Sequence, residues 1–455
     1  MKDYDVIVIG AGDAGLGIAF KAVAEGLKVA LVDKGTVGGT CINTGCVPSK
    51  TLIIAADRFM ESGENTRLGI RSKKIEVDYG AVMTRMNAAV TDGRNAIRKA
   101  IKESTNLDFM HKACHFIDEH TLEVGDAQNI SGKKIFIATG ARPSIPPIQG
   151  LDTIHYLTNE TILRLERKPE SMIFIGGGYI ALEYAHFFSA LGVKVSIIER
   201  NATLLRFGEP EISELLKKTL GRRVKLHLGA ETIAVRKSIK GHAVMARDVN
   251  SGREKELTAQ SVVVSAGRTS NADLLGPEQA GIETDAANFI KVDDYLRTNK
   301  KHIWAIGDAT GRAMFTHAGD KAAELAWYNA THRKKIRMDF AQVPHAVYTY
   351  PQIASVGLTE QQARKRHRIL VGRARYSDTV MGTAMMVQEG FAKAVVEKGT
   401  GRILGFHIIG PHAAMLIQEV VNAMLNNSGV KSITGSMHIF PALSNIIPET
   451  FNNLG

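Results

Sequence analysis

Two short apolar runs open the chain, with a helical pattern between them. Val6 to Ile9 is continuously apolar and ends at Gly10, and Val29 to Val32 is apolar again before Asp33. Apolar runs of this length are typical of strands buried on both faces of a parallel sheet. The pattern therefore predicts a strand, a helix to about Gly26, and a second strand.

The same order of elements returns later in the chain. An apolar run from Met172 to Ile175 precedes a helical pattern from Gly176 to Leu191, and Val195 to Ile198 then ends at Glu199. Two βαβ units of this kind predict two nucleotide-binding folds, a weak internal repeat. Residues 51–115 are predicted to be mainly helical, and the segment after about Phe340 changes character and is predicted to be a separate domain.

Composition and charge narrow the class of protein. The 455 residues are enough for two to four domains, and the net charge of +11 comes from basic residues scattered in short groups, which favours a solvated surface over a nucleic-acid site. Three cysteines are too few for a disulfide-stapled secreted protein. Acids near the N-terminus argue against a signal peptide, and no apolar stretch approaches the length of a membrane span. A cytoplasmic protein is expected.

The first glycine-rich turn, Gly10 to Gly15, has the pattern G-x-G-x-x-G between a predicted strand and a helix. Gly10 permits the tight turn, Gly12 lets the backbone approach a pyrophosphate, and the positive end of the helix favours that anion. Asp33, 18 residues after Gly15, can accept hydrogen bonds from ribose hydroxyls. These features predict a dinucleotide site.

The second turn, Gly176 to Ala181, has alanine at the third position, which the fingerprint allows. Glu199 stands 18 residues after Ala181. A carboxylate there would repel a 2′-phosphate, which favours NAD(H), whereas the neighbouring Arg200 argues for NADP(H). NAD(H) is the predicted cofactor.

Cys41 and Cys46 lie in the segment GGTCINTGCVPSK. In an ideal helix their Cα atoms would be roughly 8.6 Å apart, beyond the reach of about 7 Å for a disulfide. The segment must therefore be distorted if the two sulfurs are to bond, and the flanking glycines permit the distortion. A strained or exposed disulfide is the labile, catalytic kind. The alternatives are structural thiols or half of a zinc site, for which the chain offers too few cysteine ligands.

This segment, between the first fingerprint and GGGYIALE, resembles the pyridine nucleotide-disulfide oxidoreductase family over essentially the whole chain. The resemblance implies an α/β fold with two Rossmann-like domains, for FAD and NAD(P), a C-terminal α+β dimerisation domain, and a homodimer. The predicted segments are 1–145 and 269–338 for FAD, 146–268 for NAD(P), and 339–455 for the interface.

The resemblance also implies roles for individual residues. Cys46 is the thiol that faces the flavin, Cys41 is the interchange thiol, and Lys50 lies beside the flavin, paired with Glu183. A cation near the reduced ring stabilises its negative charge, which gives this pairing a physical reason. Tyr179 is expected to cover the flavin, with packing against the sheet as the alternative. The FAD-binding residues are predicted to be Gly10, Gly12, Gly15, Asp33, Thr40, Lys50, Thr139, Gly140, Asp308, Met314 and His317. The NAD-binding residues are predicted to be Gly176, Gly178, Tyr179, Ala181, Glu199 and Gly267.

The sequence departs from the family near the C-terminus. Disulfide reductases of the family end in H-x-H-P-x-x-S-E, in which the second histidine is the acid-base group, contributed across the dimer. Here Phe440 and Asn445 stand at the histidine and glutamate positions. Loss of general acid-base help costs about 100- to 10,000-fold. His438 is retained, but two residues along an extended strand displace it by several ångströms.

The predicted enzyme is an FAD-dependent NAD(P)H oxidoreductase that moves electrons to the Cys41–Cys46 disulfide. The first choice of substrate is a disulfide or dithiol, as in dihydrolipoamide dehydrogenases. The alternative is reduction of a soft metal ion, with the two cysteines as its ligands, by a relative of the mercuric reductases that lacks their N-terminal metal domain and C-terminal cysteine pair. No resident metal is predicted. A non-catalytic flavoprotein subunit is the remaining alternative.

Overall fold

The computed structural model of the chain describes residues 1–71 and 75–455. Two compact units are present. The first comprises residues 1–51, 83–144 and 267–340, and the second comprises residues 52–82, 145–266 and 341–455. The mixed α/β class predicted from the sequence is confirmed, whereas the four-segment division stays a prediction. Within the described ranges, no helix is sufficiently long and apolar to span a bilayer.

The strands, in chain order, are β1 (Lys2–Ile9), β2 (Val29–Val32), β3 (Leu107–Met110), β4 (Cys114–Phe116), β5 (Thr121–Val124), β6 (Gln128–Ile137), β7 (Ala141–Pro143), β8 (Ser171–Ile175), β9 (Lys194–Glu199), β10 (Val224–Leu228), β11 (Ala230–Ser238), β12 (Gly241–Asp248), β13 (Glu254–Ala259), β14 (Ser261–Val264), β15 (Arg268–Ser270), β16 (Ile303–Ala305), β17 (His345–Val347), β18 (Gln352–Gly357), β19 (Ile369–Arg375), β20 (Phe391–Glu397) and β21 (Ile403–Gly410).

The α-helices, in chain order, are α1 (Asp13–Ala24), α2 (Gly39–Asn43), α3 (Cys46–Glu64), α4 (Tyr79–Glu103), α5 (Tyr179–Ala190), α6 (Pro210–Leu220), α7 (Thr316–Thr331), α8 (Glu360–Arg364), α9 (Val380–Ala384), α10 (Ala413–Leu416), α11 (Gln418–Leu425), α12 (Gly429–Thr434) and α13 (Ile446–Asn452).

The first unit is built on a sheet in the order β3-β2-β1-β6-β5-β4, with β16 also paired to β6. Strands β1, β2, β3, β6 and β16 run parallel, and β4 and β5 are added as antiparallel neighbours. Every residue of β2 is buried, as is usual for a parallel strand covered on both faces. The glycine turn that follows β1 therefore lies at the carboxyl end of a central strand.

The second unit contains a parallel sheet in the order β10-β9-β8-β14 and a three-stranded antiparallel sheet, β11-β12-β13. A five-stranded antiparallel sheet, β17-β18-β21-β20-β19, packs its buried face against α11, α12 and α13 in an apolar core. The second glycine turn follows β8, a central strand of the parallel sheet.

The prediction of mainly helix across residues 51–115 is confirmed by α3 and α4 but is wrong at its C-terminal end, and residues 72–74 of this range lie outside the described residues. Leu107–Met110 and Cys114–Phe116 are strands, and Leu107 pairs with Val29 at the edge of the first sheet. These strands have four and three residues, too short to show a period in the sequence, so the tertiary pairing decides their conformation.

Candidate active site

The first glycine turn is held by contacts that leave no room for side chains. Gly10 has φ +109°, and a Cβ atom there would lie 2.3 Å from the carbonyl oxygen of Ala138. A Cβ on Gly15 would lie 1.9 Å from the carbonyl oxygen of Gly10. The turn therefore requires glycine at both positions, and α1 begins within it at Asp13, so the first amides of the helix are part of the turn.

Asp33 braces this turn from the end of β2. Its Oδ2 accepts a hydrogen bond from the Ala11 amide at 2.6 Å, and its Oδ1 accepts one from the Gly35 amide at 2.6 Å. Each carboxylate oxygen can accept a second hydrogen bond. Asp33 thus fixes the turn and retains acceptor capacity for a ribose hydroxyl.

The helix is interrupted between the two cysteines, as the spacing argument required. Cys41 lies in α2, which ends at Asn43, and Cys46 is the first residue of α3. Thr44, between them, has φ −145° and ψ 10°, outside the helical region. A Cβ on Gly45 would lie 2.8 Å from the Thr40 carbonyl oxygen, so the reversal is too tight for a side chain.

Cys41 and Cys46 are not bonded to each other in this structure, and their side chains interact through a hydrogen bond. This hydrogen bond, together with burial, raises the pKa of Cys41, and Thr316 lowers it by a smaller amount. When the pair loses one proton, the raised pKa of Cys41 favours a negative charge on Cys46.

Two helix N-termini favour that charge. Cys46 begins α3, and its Sγ lies 3.3 Å from Oγ1 of Thr316, the first residue of α7. The unsatisfied amides at a helix N-terminus stabilise nearby anions, including thiolates. Thr316 was not among the predicted site residues, although it lies between two that were, Met314 and His317.

Asn43 holds the cysteine segment in place. Its side-chain amide donates to the carbonyl oxygens of Val37, at 3.0 Å, and Gly39, at 2.8 Å, and its Oδ1 accepts from Arg94 at 2.9 Å. Asn43 and Arg94 were not predicted from the sequence, because the hydrogen bond between them joins segments 51 residues apart.

The remaining predicted FAD residues of the first unit fit a polar ligand. Thr139 carries a buried hydroxyl without a hydrogen-bond partner in the described part of the chain. Asp308 lies 3.4 Å from Nε of Arg268; burial raises the pKa of Asp308 and the guanidinium lowers it less. Gly140 has φ +67°, and Gly267, which was predicted for NAD but lies in the first unit, has φ +121°. The remaining members of the set are partly or largely exposed: Thr40, Lys50, Met314 and His317.

These observations meet the requirements of FAD. A buried, unpaired hydroxyl, a turn without side chains and a carboxylate with spare acceptor capacity suit a ligand with a pyrophosphate and hydroxyl groups. Arg268 was not predicted from the sequence; its Nη2 also donates to the Ala141 carbonyl oxygen, a contact that only the pairing of β7 and β15 creates.

The second glycine turn repeats the geometry of the first. Gly176 has φ +100°, and a Cβ there would lie 2.5 Å from the Ser265 carbonyl oxygen. Glu199 accepts from the Gly177 amide at 2.6 Å and from the Asn201 amide at 2.8 Å. Ala181 is buried under the turn, and a Cβ on Gly178 would meet no atom within 4 Å. The open space beside Gly178 suits a dinucleotide.

Helix α5 carries the two other predicted residues of this unit. Tyr179 is exposed, with its ring centroid 5.9 Å from that of His345. Glu183 is buried, and its Oε1 accepts from the Tyr348 amide at 3.2 Å. Lys50 belongs to the first unit and Glu183 to the second, and their pairing stays a prediction.

The C-terminal segment offers no acid-base group at the predicted position. The side chain of Phe440 is 70% exposed. Asn445 is occupied by its own loop: Oδ1 accepts from the Ala442 amide at 2.8 Å, and Nδ2 donates to the Ile439 carbonyl oxygen at 3.1 Å. Asn445 thus stabilises the loop conformation.

His438 is held by two oxygen atoms of its own unit. Its Nε2 lies 2.8 Å from Oε1 of Glu419, and its Nδ1 lies 3.1 Å from the Ser436 carbonyl oxygen. Both ring nitrogens are therefore engaged within the C-terminal segment, and whether His438 takes the role of the missing histidine stays a prediction.

Comparison with known proteins identifies the family. Residues 4–323 match the model of the pyridine nucleotide-disulphide oxidoreductases, and residues 343–451 match the dimerisation domain of the same family. The chain belongs to this family. It is therefore a flavoprotein oxidoreductase that binds FAD and a pyridine nucleotide, and its dimerisation domain supports a homodimer.

Relatives in the family differ in substrate. The chain is 34% identical over 438 residues to a mercuric reductase of Lysinibacillus sphaericus, covering 96% of this chain and 80% of the relative. It is 31% identical over 468 residues to a dihydrolipoyl dehydrogenase of Synechocystis, covering 99% and 98%. The Cu(II) complex of RclA, an HOCl-induced flavoprotein disulfide reductase of Escherichia coli, is 28% identical with a TM-score of 0.88, covering 99% of both chains. The fold is common to enzymes with different electron acceptors.

Proposed function

We propose that the protein oxidises a reduced nicotinamide cofactor and delivers two electrons, through the Cys41–Cys46 pair, to a soft metal ion. The observation that carries the proposal is the position of Cys41 and Cys46 on either side of a broken helix, together with Phe440 at the position of the family's acid-base histidine. The reaction class follows from the family, and the acceptor is the part proposed here.

FAD, when bound, supplies hydride acceptance from the nicotinamide and two-electron transfer to the disulfide. The residues proposed to hold it are those of the first glycine turn with Asp33, Thr139 and Asp308. Cys46 carries the negative charge of the reduced pair beside Thr316, and Cys41 holds the proton. Lys50 is proposed to lie beside the flavin with Glu183 orienting it, as the resemblance implies.

The C-terminal segment favours a metal ion over a disulfide. Reduction of a disulfide releases a thiolate that must gain a proton, so a nearby acid accelerates it. A soft metal ion that binds both sulfurs displaces the Cys41 proton to water. The sulfur–sulfur bond then forms and releases two electrons, which reduce one Hg(II) ion or two Cu(II) ions, and no leaving group has to be protonated. Phe440 and Asn445, at the positions of the acid-base pair, cannot supply such a proton, and thiolates are suitable ligands for soft ions.

A disulfide or dithiol substrate is the second candidate. It is supported by the dihydrolipoyl dehydrogenase relative and by RclA, which is named a disulfide reductase. On this alternative, turnover is slow because the proton must come from water. NADH is proposed as the electron donor because the Glu199 carboxylate would repel a 2′-phosphate.

The acceptor is tested by steady-state turnover of the purified FAD-loaded dimer with Hg(II), Cu(II), lipoamide and glutathione disulfide, each under NADH and NADPH. Faster turnover with either metal ion than with both disulfides supports the proposal, and the reverse order supports the second candidate. Anaerobic titration with NADH should consume four electrons per flavin, two for FAD and two for the disulfide. Consumption of only two electrons per flavin would exclude the cysteine pair from the electron path. Protein that is yellow but is not reduced by either cofactor would favour the hypothesis of a non-catalytic flavoprotein subunit.

A further inference from the structure

The second unit contains a buried relay of charged and polar side chains that was not predicted from the sequence. Nε2 of His186, on α5, lies 2.7 Å from Oδ1 of Asp57, in the second half of α3. Nδ1 of the same imidazole lies 2.8 Å from Nη1 of Arg223, which follows α6. His186 has no exposed surface, and Asp57 is also buried. Three separate elements therefore meet at one imidazole.

The donors and acceptors of the relay have one consistent assignment. A guanidinium can only donate hydrogen bonds, so Nδ1 of His186 accepts from Arg223 and Nε2 carries the proton donated to Asp57. Burial lowers the pKa of His186, and the hydrogen bond to Asp57 raises it less. Burial likewise lowers the pKa of Arg223 to about 10. The imidazole is neutral and joins a cation to an anion.

His186 is also the last of three residues on one face of α5 that contact the segment 345–350. Tyr179, Glu183 and His186 are spaced by four and three residues, which places them on the same side of a helix. In that order they contact residues of one segment: the His345 ring, the Tyr348 amide and the Tyr350 ring, the last with centroids 6.2 Å apart. Arg223 adds a hydrogen bond to the Tyr350 carbonyl oxygen at 3.2 Å.

We propose that Asp57, His186 and Arg223 are positioning residues for Glu183 and Tyr179. The relay fixes the C-terminal half of this helix face and the segment that runs beside it. A shift or rotation at His186 is transmitted along the rigid helix to Glu183, one turn away, and to Tyr179, two turns away. The inference rests on the proposed function, in which Glu183 orients Lys50 beside the flavin, and on the expectation that Tyr179 covers the flavin.

The test compares variants of the FAD-loaded protein in single-turnover reduction of the flavin by NADH. His186→Leu removes both hydrogen bonds and should slow flavin reduction by about 10- to 100-fold, the cost of a misplacement of roughly 1 Å. His186→Gln keeps one donor and one acceptor and should recover to within about threefold, since both partners stay satisfied. His407→Leu is the control, because His407 is equally buried in the same unit and contacts the Leu358 carbonyl oxygen instead.

A structural role alone would lower the melting temperature of His186→Leu and His407→Leu together and leave the reduction rate of folded protein unchanged. That outcome would overturn the proposal. If His186→Leu does not fold, Asp57→Asn decides, because it keeps an acceptor oxygen but removes the anion; a wild-type rate in that variant would also overturn it. Failure of the proposed function is recognised separately, because it is tested on the wild-type protein alone: the anaerobic titration then consumes two electrons per flavin instead of four.

Discussion

The two glycine turns have nearly the same internal geometry. The first glycine has φ +109° in one turn and +100° in the other. In both turns, the acid at the end of the second strand accepts a hydrogen bond at 2.6 Å from the amide of the residue that follows this glycine, Ala11 in the first turn and Gly177 in the second. Each acid also accepts from the amide two residues beyond itself, at 2.6 Å for Asp33 and 2.8 Å for Glu199. The repeat in sequence is thus a repeat of hydrogen bonds.

The turns differ in what faces their second glycine. A Cβ on Gly12 would lie 3.7 Å from the Cα of Gly39, in the cysteine segment, whereas a Cβ on Gly178 would meet nothing within 4 Å. The first turn is therefore closed at Gly12, where it packs against the cysteine segment. The second turn is open at Gly178. This difference fits a nucleotide that stays bound at the first turn and one that exchanges in each turnover at the second.

The largest expected effect comes from the segment that closes the first turn. Cys46→Ser or Cys41→Ser should lower turnover with any acceptor by at least about 1,000-fold, because serine cannot form the disulfide. Flavin reduction by NADH should persist in both variants. Cys114→Ser is the matched control, since Cys114 is buried with its pKa raised to about 12 by burial and lies outside the segment. Stopped-flow and steady-state rates check this, and turnover surviving in both serine variants would contradict it.

A matched pair of alanine variants tests the comparison directly. Gly12→Ala should reduce the affinity for FAD by roughly tenfold or more, because the methyl group occupies the space through which the backbone approaches a pyrophosphate. Gly178→Ala should keep its FAD and raise the KM for NADH by about tenfold for the same reason. Flavin content after dialysis and the KM are the measurements. Equal loss of FAD in both variants would mean that the open and closed turns do not differ in function.

The glycine turns could be predicted from the sequence because their determinants are local. Gly10 and Gly15 are required by contacts within a few residues or with the adjacent strand, and Asp33 and Glu199 follow at a fixed spacing. The break between Cys41 and Cys46 was likewise forced by helix geometry. Where one short segment determines the geometry, the pattern was sufficient.

Contacts between distant segments could not be predicted. Thr316 reaches Cys46 from 270 residues away, and His186 reaches Asp57 from 129 residues away. A histidine in an apolar helix is as consistent with simple packing as with a relay, and nothing in the sequence pairs it with an acid. The short strand Leu107–Met110 was missed for the same reason, since its conformation depends on a neighbour far along the chain.

The preference for NADH or NADPH tests the role of Glu199, the acid of the second turn. Glu199→Gln removes the negative charge but keeps an acceptor for the Gly177 amide, so it should raise the ratio of kcat/KM for NADPH to that for NADH by about tenfold. Arg200→Gln is the matched variant and should shift the ratio the other way, because it removes a cation that could accommodate a 2′-phosphate. An unchanged ratio in Glu199→Gln would show that the carboxylate does not discriminate.

The smallest effect is expected at the hydrogen bond from the Asn201 side chain to Glu199, which has no equivalent at Asp33 because Gly35 has no side chain. Besides its amide, the Asn201 side chain donates to Oε1 of Glu199, whereas Gly35, at the equivalent position, has no side chain to donate. Asn201→Ala removes one hydrogen bond to a carboxylate that remains held by two backbone amides. A neutral donor of this kind contributes about 0.5–1.5 kcal/mol, and most of that is recovered by water at a partly exposed site. The KM for NADH should therefore rise by no more than about threefold with kcat unchanged, and a tenfold rise would show that the side chain, not the backbone, positions Glu199.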